Sequence, residues 1–446
     1  MKEENTPIEK ISNWIKNSVT LKLITVIILI LLLLIPSAMI KSTITEREEL
    51  NKTASSEVSS KWAESQQING PILTIPIIYE YQEEGKKVVS TKYYHILPES
   101  LYIKGTIEPE KLRRGIYEVV VYKSNLSISG KFTIDQKIDR TNLKEINYDK
   151  SFLTIGISDL RGIEDDIVLN WNNQDLKVQP GSKISKTIYS GLTINLPSIE
   201  KIINKTIDFK FNLKLQGSQN MSFVPLGNTT EVNIVSSWAS PSFNGNFLPD
   251  FREVTKEGFS ASWKILQLNR NFPQTWIGSD QSEKINNSAF GVNLILPLDD
   301  YQKSMRSAKY AAMTIALTFL IFFLVEILNK RKIHPFQYAL VGLALCLFYI
   351  LLVSISEHLS FNLAYFISTL AIVLMISIYS LSVFKVLKLS ILLVATLIGI
   401  YGFMFVTLQL ADYALLLGSI GITLILGLTM YFTRKINWYE LNIDTD

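Results

Sequence analysis

Five polar side chains lie beside long apolar segments, where an ionisable group is costly to bury and commonly serves a function. Glu326 stands near the end of one such segment, and His334 and Gln337 precede the next. Glu357 and His358 follow that second segment directly. We therefore take these five as the candidate functional polar residues, all of them at the ends of predicted membrane helices.

Glu326 has two interpretations. It stands four residues before Lys330, a spacing at which opposite charges pair on one helix face. It is also close in sequence to His334, so a proton-linked or signalling switch with that histidine is the alternative. The ion pair at the membrane surface is the simpler expectation, and the switch is the sharper hypothesis.

A shared metal site is not expected. His334 and His358 flank a predicted helix and are about 35 Å apart at 1.5 Å per residue. Glu357, His358 and Asp412 could meet as a weak metal site, but short exposed loops commonly collect such residues. No metal and no other cofactor is therefore predicted.

The soluble part shows no convincing catalytic set. A serine hydrolase would have to use His95, which lies in a predicted strand without a nucleophile-elbow glycine pattern nearby. The acidic residues at 164–166 are adjacent in one loop, whereas a glycosidase needs two carboxylates across a cleft. Nothing resembles a phosphate-binding glycine loop or a metalloprotease helix. We predict no catalytic residues.

The first membrane helix is predicted at 23–40, an apolar run flanked by Lys22 and Lys41. It is long for a signal-peptide core and lacks a good cleavage site, so a retained anchor is favoured. Residues 1–22 are predicted to form a short cytoplasmic interfacial helix, with a disordered tail as the alternative. Beyond the membrane the helix is expected to continue with a narrow apolar stripe and to stop near Asn69.

Five more apolar runs are predicted to cross the membrane, which makes six helices in all. They span 310–328, 338–355, 363–384, 389–408 and 414–432. Basic residues at 330–332, 385, 388, 434 and 435 alternate with loops that carry none, at 357 and 412. Because Lys and Arg are retained on the cytoplasmic side, both termini are predicted to be cytoplasmic and the soluble domain to lie outside.

Between about 70 and 308 the hydrophobic period changes to two, which indicates strands with one buried face. The run 207–215 alternates strictly, and separate runs are expected at 117–122 and 126–134. The predicted fold is an α-helical transmembrane bundle with a β-rich, mainly antiparallel, sandwich-like extracytoplasmic domain. The predicted divisions are 1–22 (interfacial), 23–40 (first helix), 41–307 (β-rich domain with a helical linker), 308–432 (five helices) and 433–446 (cytoplasmic tail).

The composition agrees with a chain that is part membrane and part soluble. Of its 446 residues, 48% are hydrophobic, and the mean hydropathy is +0.21. The net charge of +4 is small and the basic residues are dispersed, so nucleic-acid binding is not expected. Cys346 is the single cysteine, which excludes an intrachain disulfide or a cysteine metal site.

Long motifs in a fixed order resemble the CreD family of bacterial inner-membrane proteins over almost the whole chain. They are IxER at 44–47, GPILTIP at 70–76, GTIEPEKLRRGIYEVVVY at 105–122, SDLRGI at 158–163, SSWASPSFNGNFLP at 236–249, LNRNFPQTW at 268–276, LDDYQKSMRSAKYA at 298–311, the segment 334–358 and TRKINWYE at 433–440. The resemblance implies a link to envelope integrity and to responses to envelope damage, including damage by β-lactams. It implies no catalytic residue.

The leading hypothesis is a non-enzymatic envelope-integrity protein whose partners are the lipid bilayer and a periplasmic or membrane protein. One alternative is a transporter or lipid-handling protein, although the helices are poor in buried charge and show no clear inverted repeat. The other is an enzyme acting on peptidoglycan or lipid, which would need a polar cleft gathering acidic side chains around His95.

Overall fold

The computed structural model describes residues 19–83, 86–134, 138, 140–294, 300–328, 333–410 and 414–434. The predicted interfacial helix up to residue 18, the basic cluster at 330–332, Asp412 and the tail after residue 434 lie outside the described residues. Two compact units are present. The helical unit comprises Met1–Asn51 and Leu298–Asp446, and the sheet unit comprises Lys52–Pro297.

Helix α1 is a single helix of 44 residues, Val19–Trp62, which belongs to the helical unit up to Asn51 and to the sheet unit from Lys52. It ends earlier than the sequence predicts, since strand β1 already begins at Gln66. The reason is hydrogen bonding to side chains of a later loop. The Arg161 guanidinium donates to the carbonyl of Ser60, and the Glu64 N–H donates to the Asp159 carboxylate, so side chains take over the backbone groups at the helix end.

Seven more helices follow in the described parts of the chain: α2 Ser282–Asn287, α3 Asp300–Lys309, α4 Ala311–Leu328, α5 Pro335–Ser356, α6 Phe361–Phe384, α7 Leu387–Gln409 and α8 Ala414–Thr433. In the described residues four helices are long and apolar enough to cross a membrane, namely α1, α5, α6 and α7. A fifth span is possible if α3 and α4 count as one broken helix, bent by 42°. The sixth span, at α8, stays a prediction.

The helical unit packs its apolar helices through faces of small and aromatic residues. Gly342 of α5 lies against Leu33 of α1, where a Cβ atom would collide with the leucine side chain. The ring of Phe348 on α5 packs edge-on against Tyr365 and at a tilt against Tyr401, with ring centroids 5.4 and 4.6 Å away. Close backbone approach at a glycine is typical of helix packing inside membranes.

The sheet unit contains eighteen strands in its described residues, arranged in two sheets. The first ten by position are β1 Gln66–Glu83, β2 Lys86–Ile96, β3 Ser100–Arg114, β4 Tyr117–Thr133, β5 Leu143–Ile146, β6 Phe152–Ile157, β7 Val168–Trp171, β8 Gln174–Lys177, β9 Gln179–Pro180 and β10 Gly191–Asn195. The rest are β11 Thr206–Ser218, β12 Asn220–Phe223, β13 Thr229–Ser236, β14 Pro241–Gly245, β15 Phe251–Val254, β16 Phe259–Leu266, β17 Thr275–Ile277 and β18 Phe290–Leu294.

The ten-stranded sheet has the order β14-β18-β12-β1-β6-β10-β9, with β2 and β5 also paired to β1 and β17 paired to β2. The eight-stranded sheet has the order β15-β16-β13-β3-β4-β11-β7-β8. Most neighbours are antiparallel, while β1 with β12 and β3 with β13 are parallel. Buried side chains from both sheets form one hydrophobic cluster. The predicted fold class, a helical membrane part with a mainly antiparallel β domain, is confirmed.

Strand β11 shows why the alternation was a reliable signal. Its buried positions are Ile207, Phe209, Phe211, Leu213 and Leu215, and the residues between them are exposed. The two runs expected at 117–122 and 126–134 are one strand, β4, instead. Gly130 lies within β4 and pairs with Phe209 of β11. The phenylalanine ring occupies the space that a side chain at position 130 would need.

Candidate functional site

Glu326 lies on α4 and is only 2% exposed. Its Oε1 accepts from Nζ of Lys22 on α1 at 2.5 Å and from the backbone N–H of Ile333 at 3.1 Å. Its Oε2 accepts from the hydroxyl of Tyr338 on α5 at 2.9 Å. We call Lys22, Glu326, Ile333 and Tyr338 the Glu326 cluster. Both carboxylate oxygens are bonded, as a buried charge requires.

The predicted partner of Glu326, Lys330, lies outside the described residues. The partner that the structure shows is Lys22, which is more than three hundred positions away in the chain. Tyr338 is held by aromatic packing, with its ring centroid 5.4 Å from that of Phe319 and 5.7 Å from that of Phe322. The Glu326 cluster therefore joins α1, α4 and the start of α5.

His334 and Gln337 form the cap at the start of α5. Nδ1 of His334 accepts from the N–H of Phe336 at 3.2 Å, and Oε1 of Gln337 accepts from the N–H of His334 at 3.0 Å. Pro335 occupies the first turn, where its missing N–H costs nothing. This capping box fixes where α5 begins and so places Tyr338 beside Glu326. His334 also lines a cavity of about 530 Å³ together with Lys22 and Glu326.

Glu357 caps the other end of α5 and has a different environment. Its Oε1 lies 3.7 Å from Nε of Arg47 on α1 and accepts from the hydroxyl of Tyr301 on α3 at 3.3 Å. We call Arg47, Tyr301 and Glu357 the Glu357 cluster. The Glu357 side chain is 11% exposed and that of Arg47 is 44% exposed. His358 is exposed, and its backbone N–H donates to the carbonyl of Ile355.

The proposed combination of Glu357, His358 and Asp412 cannot be assessed, since Asp412 lies outside the described residues. Within the described residues no group of three or more metal-ligating side chains is present. The five candidate residues thus divide between two ends of α5, with Glu326, His334 and Gln337 at one end and Glu357 with His358 at the other. Sequence reasoning missed Tyr338 and Tyr301 as hydroxyl donors, and it treated Lys22 only as a flanking charge.

In the sheet unit, the SDLRG loop at 158–162 holds the end of α1. Asp159 accepts from Arg161 at 2.7 Å, and the charged guanidinium lowers the pKa of the Asp159 carboxyl to about 2. Gln66 is fully buried, and its Nε2 donates to the carbonyls of Asp159 and Gln216, both at 2.9 Å. The polar groups of this motif therefore have structural roles.

His95, the residue that a hydrolase would have needed, is a core residue of β2. It is 2% exposed, and its Nδ1 lies 3.0 Å from the hydroxyl of Thr74. Its ring packs on Trp276 with centroids 4.9 Å apart. Burial lowers the pKa of His95 to about 4, so the ring is neutral at physiological pH. Glu164 and Asp165 of the acidic loop pair with Lys123 and Lys214.

The comparison with known proteins agrees with this architecture. The family described as Inner membrane protein CreD matches residues 18–439. The Inner membrane protein CreD of Escherichia coli (strain K12) is 34% identical over 419 residues, which are 93% of this chain and 92% of that protein. Both matches extend through the helical unit and the sheet unit. The chain therefore belongs to the CreD family of inner membrane proteins.

Proposed function

We propose that this protein supports the integrity of the bacterial cell envelope without catalysing a reaction. In this proposal the sheet unit lies in the periplasm and binds a protein of the periplasm or the membrane. The helical unit anchors α1, the helix that continues into the sheet unit. Both chain termini are cytoplasmic. The envelope role, extending to envelope damage by β-lactams, is what the resemblance to the CreD family implies, and the matched family is described as an inner membrane protein.

The observation that carries the anchoring role is the Lys22–Glu326 contact. It links α1 to α4 through a carboxylate that is 2% exposed and bonded at both oxygens. The pair resists separation, because the buried Glu326 carboxylate would be left without compensation in a medium of low dielectric constant. A fixed α1 keeps the anchor helix in place within the helical unit, as expected of a scaffold that holds a partner.

The roles of the polar groups support a function without catalysis. His95 is a neutral core side chain, Asp159 is bound by Arg161, and His334 is a helix cap. Each of these groups is explained by its structural contacts. A reproducible hydrolase activity of the purified full chain, lost on substituting one acidic or histidine residue, would overturn this part of the proposal.

The envelope role is tested in a deletion strain by its sensitivity to detergent and to a cell-wall antibiotic. The full chain, expressed from a plasmid, should restore the resistance that deletion removes. A deletion strain as resistant as its parent to both agents would contradict the role.

The periplasmic placement is tested by cysteine labelling in a Cys346→Ala background. Tyr189→Cys introduces a thiol at a position that is 92% exposed in the sheet unit. It should react with a membrane-impermeant maleimide in intact spheroplasts. Lys388→Cys, at an exposed position in the first turn of α7, is the matched control and should react only after lysis. The reverse pattern would place the sheet unit in the cytoplasm.

A further inference from the structure

A groove on the surface of the helical unit runs between α1 and α5. It has a volume of about 640 Å³ and extends from Pro36 to Arg47 on α1 and from Leu343 to Glu357 on α5. At 1.5 Å per residue these faces are about 16 and 21 Å long. That length is comparable to one leaflet, half of a hydrocarbon core of roughly 30 Å.

The groove is apolar along its length. Its floor consists of buried side chains, of which Ile44 is 1% and Cys346 3% exposed. Its walls are exposed side chains, with Met39 at 66%, Leu347 at 44% and Ile350 at 50%. An acyl chain in this groove would contact both helices and cover the exposed walls.

Charge is confined to one end of the groove, where the Glu357 cluster lies. Arg47 and Glu357 are both lining residues, and Nε of the arginine is 3.7 Å from Oε1 of the glutamate. Glu357 is the C-cap of α5, a position at which the helix dipole is already negative and a cation is favoured. In the described residues no donor bonds its Oε2. The end of the groove thus presents a cation and a carboxylate side by side.

We propose that this groove binds one phospholipid whose headgroup carries both a phosphate and a primary amine. The acyl chain lies along the apolar faces of α1 and α5, the phosphate pairs with Arg47, and the ammonium pairs with Glu357. A headgroup with a phosphate alone would meet the Glu357 carboxylate as a like charge. The zwitterionic headgroup complements both charges, and this binding goes beyond the proposed envelope role and does not depend on it.

The test uses the full chain in detergent with equal amounts of phosphatidylethanolamine, phosphatidylcholine and phosphatidylglycerol that have the same acyl chains. Native mass spectrometry then counts the lipids that remain bound. We expect about tenfold more phosphatidylethanolamine than phosphatidylglycerol, the ratio that one charge-assisted hydrogen bond supplies. Phosphatidylcholine should fall between them, because its quaternary amine has charge but no N–H. Equal retention of the three lipids by the unchanged chain would overturn the proposal, and this result requires no variant.

Variants locate the site. Glu357→Gln should abolish the preference for phosphatidylethanolamine over phosphatidylglycerol and leave the total bound lipid nearly unchanged. Leu347→Trp fills the groove and should reduce retention of all three lipids. Leu374→Trp, on an exposed position of α6 outside the groove, is the matched control and should retain lipid like the unchanged chain. Full retention by Leu347→Trp would show that the lipid binds elsewhere.

Discussion

The Glu326 cluster and the Glu357 cluster contain the same kinds of side chains but differ in burial. Each places a carboxylate at one end of α5, a basic residue of α1 and a tyrosine hydroxyl together. Glu326 is buried and uses both oxygens. The Oε1 of Glu357 accepts from Tyr301 and lies 3.7 Å from Nε of Arg47, whose side chain is 44% exposed. Burial makes the Lys22–Glu326 pair hard to separate. In the second pair the exposed side chain of Arg47 is accessible to a ligand.

The largest expected effect comes from Lys22→Met. This change leaves the Glu326 carboxylate buried without its cation, and we expect a loss of about 3–5 kcal/mol in stability. Glu326→Gln should cost less, because Lys22 is 20% exposed and reaches water more easily. Thermal unfolding of the purified chain in detergent, followed by circular dichroism, measures both losses.

The double variant Lys22→Met/Glu326→Gln shows whether the two side chains act as a pair. If they do, the double variant loses less stability than the sum of the two single losses. Strict additivity would mean that the two charges contribute independently, and the Lys22–Glu326 contact would not be a stabilising pair.

A pH titration extends the comparison to the sheet unit, where His95 is a buried titratable group of the core. Its folded pKa of about 4 lies below the ordinary value of 6.5, so the unfolded chain binds more protons between these values. The contribution of neutral His95 to the stability of the sheet unit is therefore fully present above pH 6.5. It is lost as the pH drops toward 4, by about 3 kcal/mol at most.

Denaturant unfolding between pH 4 and pH 7 measures this loss. His95→Gln keeps a side-chain acceptor for Thr74 and removes the titration, so its stability should change far less across the same range. An equal pH dependence in the two proteins would assign the effect to other groups.

Tyr338→Phe should have an intermediate effect. It removes one hydroxyl and leaves Oε2 of Glu326 buried without its donor, which costs about 1–2 kcal/mol. The phenylalanine ring keeps the packing on Phe319 and Phe322. Tyr301→Phe is the matched change in the Glu357 cluster, and thermal unfolding should show a smaller loss there because Glu357 is more exposed.

The smallest effect is expected for Arg47→Met, the counterpart of Lys22→Met. Its contact with Glu357 is long and half in water, so the loss should stay below about 1 kcal/mol. A loss as large as that of Lys22→Met in the same thermal assay would remove the distinction between the two clusters.

The sequence predicted the elements better than the contacts between them. The strict alternation at 207–215 and the apolar run at 338–355 are local patterns, and the structure shows a strand and a helix at those positions. The Lys22–Glu326 contact joins residues more than three hundred positions apart, and no local pattern encodes such a partner. Sequence spacing pointed to Lys330 instead, because only nearby charges are visible to it.

The same limit applies at finer scale in the sheet unit. The runs at 117–122 and 126–134 were expected to be separate, yet the polar residues between them, 123–125, pair with β3 and β11 and make β4 continuous. The end of α1 was misplaced because Arg161 and Asp159, a hundred positions later, complete its hydrogen bonds. Capping by distant side chains cannot be read from the residues around the helix end.

The Lys22–Glu326 pair joins α1 to α4, and we expect the proposed envelope role to depend on it. The most direct test is resistance to detergent and to a cell-wall antibiotic in the deletion strain carrying Lys22→Glu, Glu326→Lys or both changes, each matched for membrane level. We expect either single reversal to lose resistance and the double reversal to regain part of it, because a lysine at position 326 cannot accept from the Ile333 N–H. Full resistance with either single reversal, or a double reversal no better than the singles, would contradict this expectation.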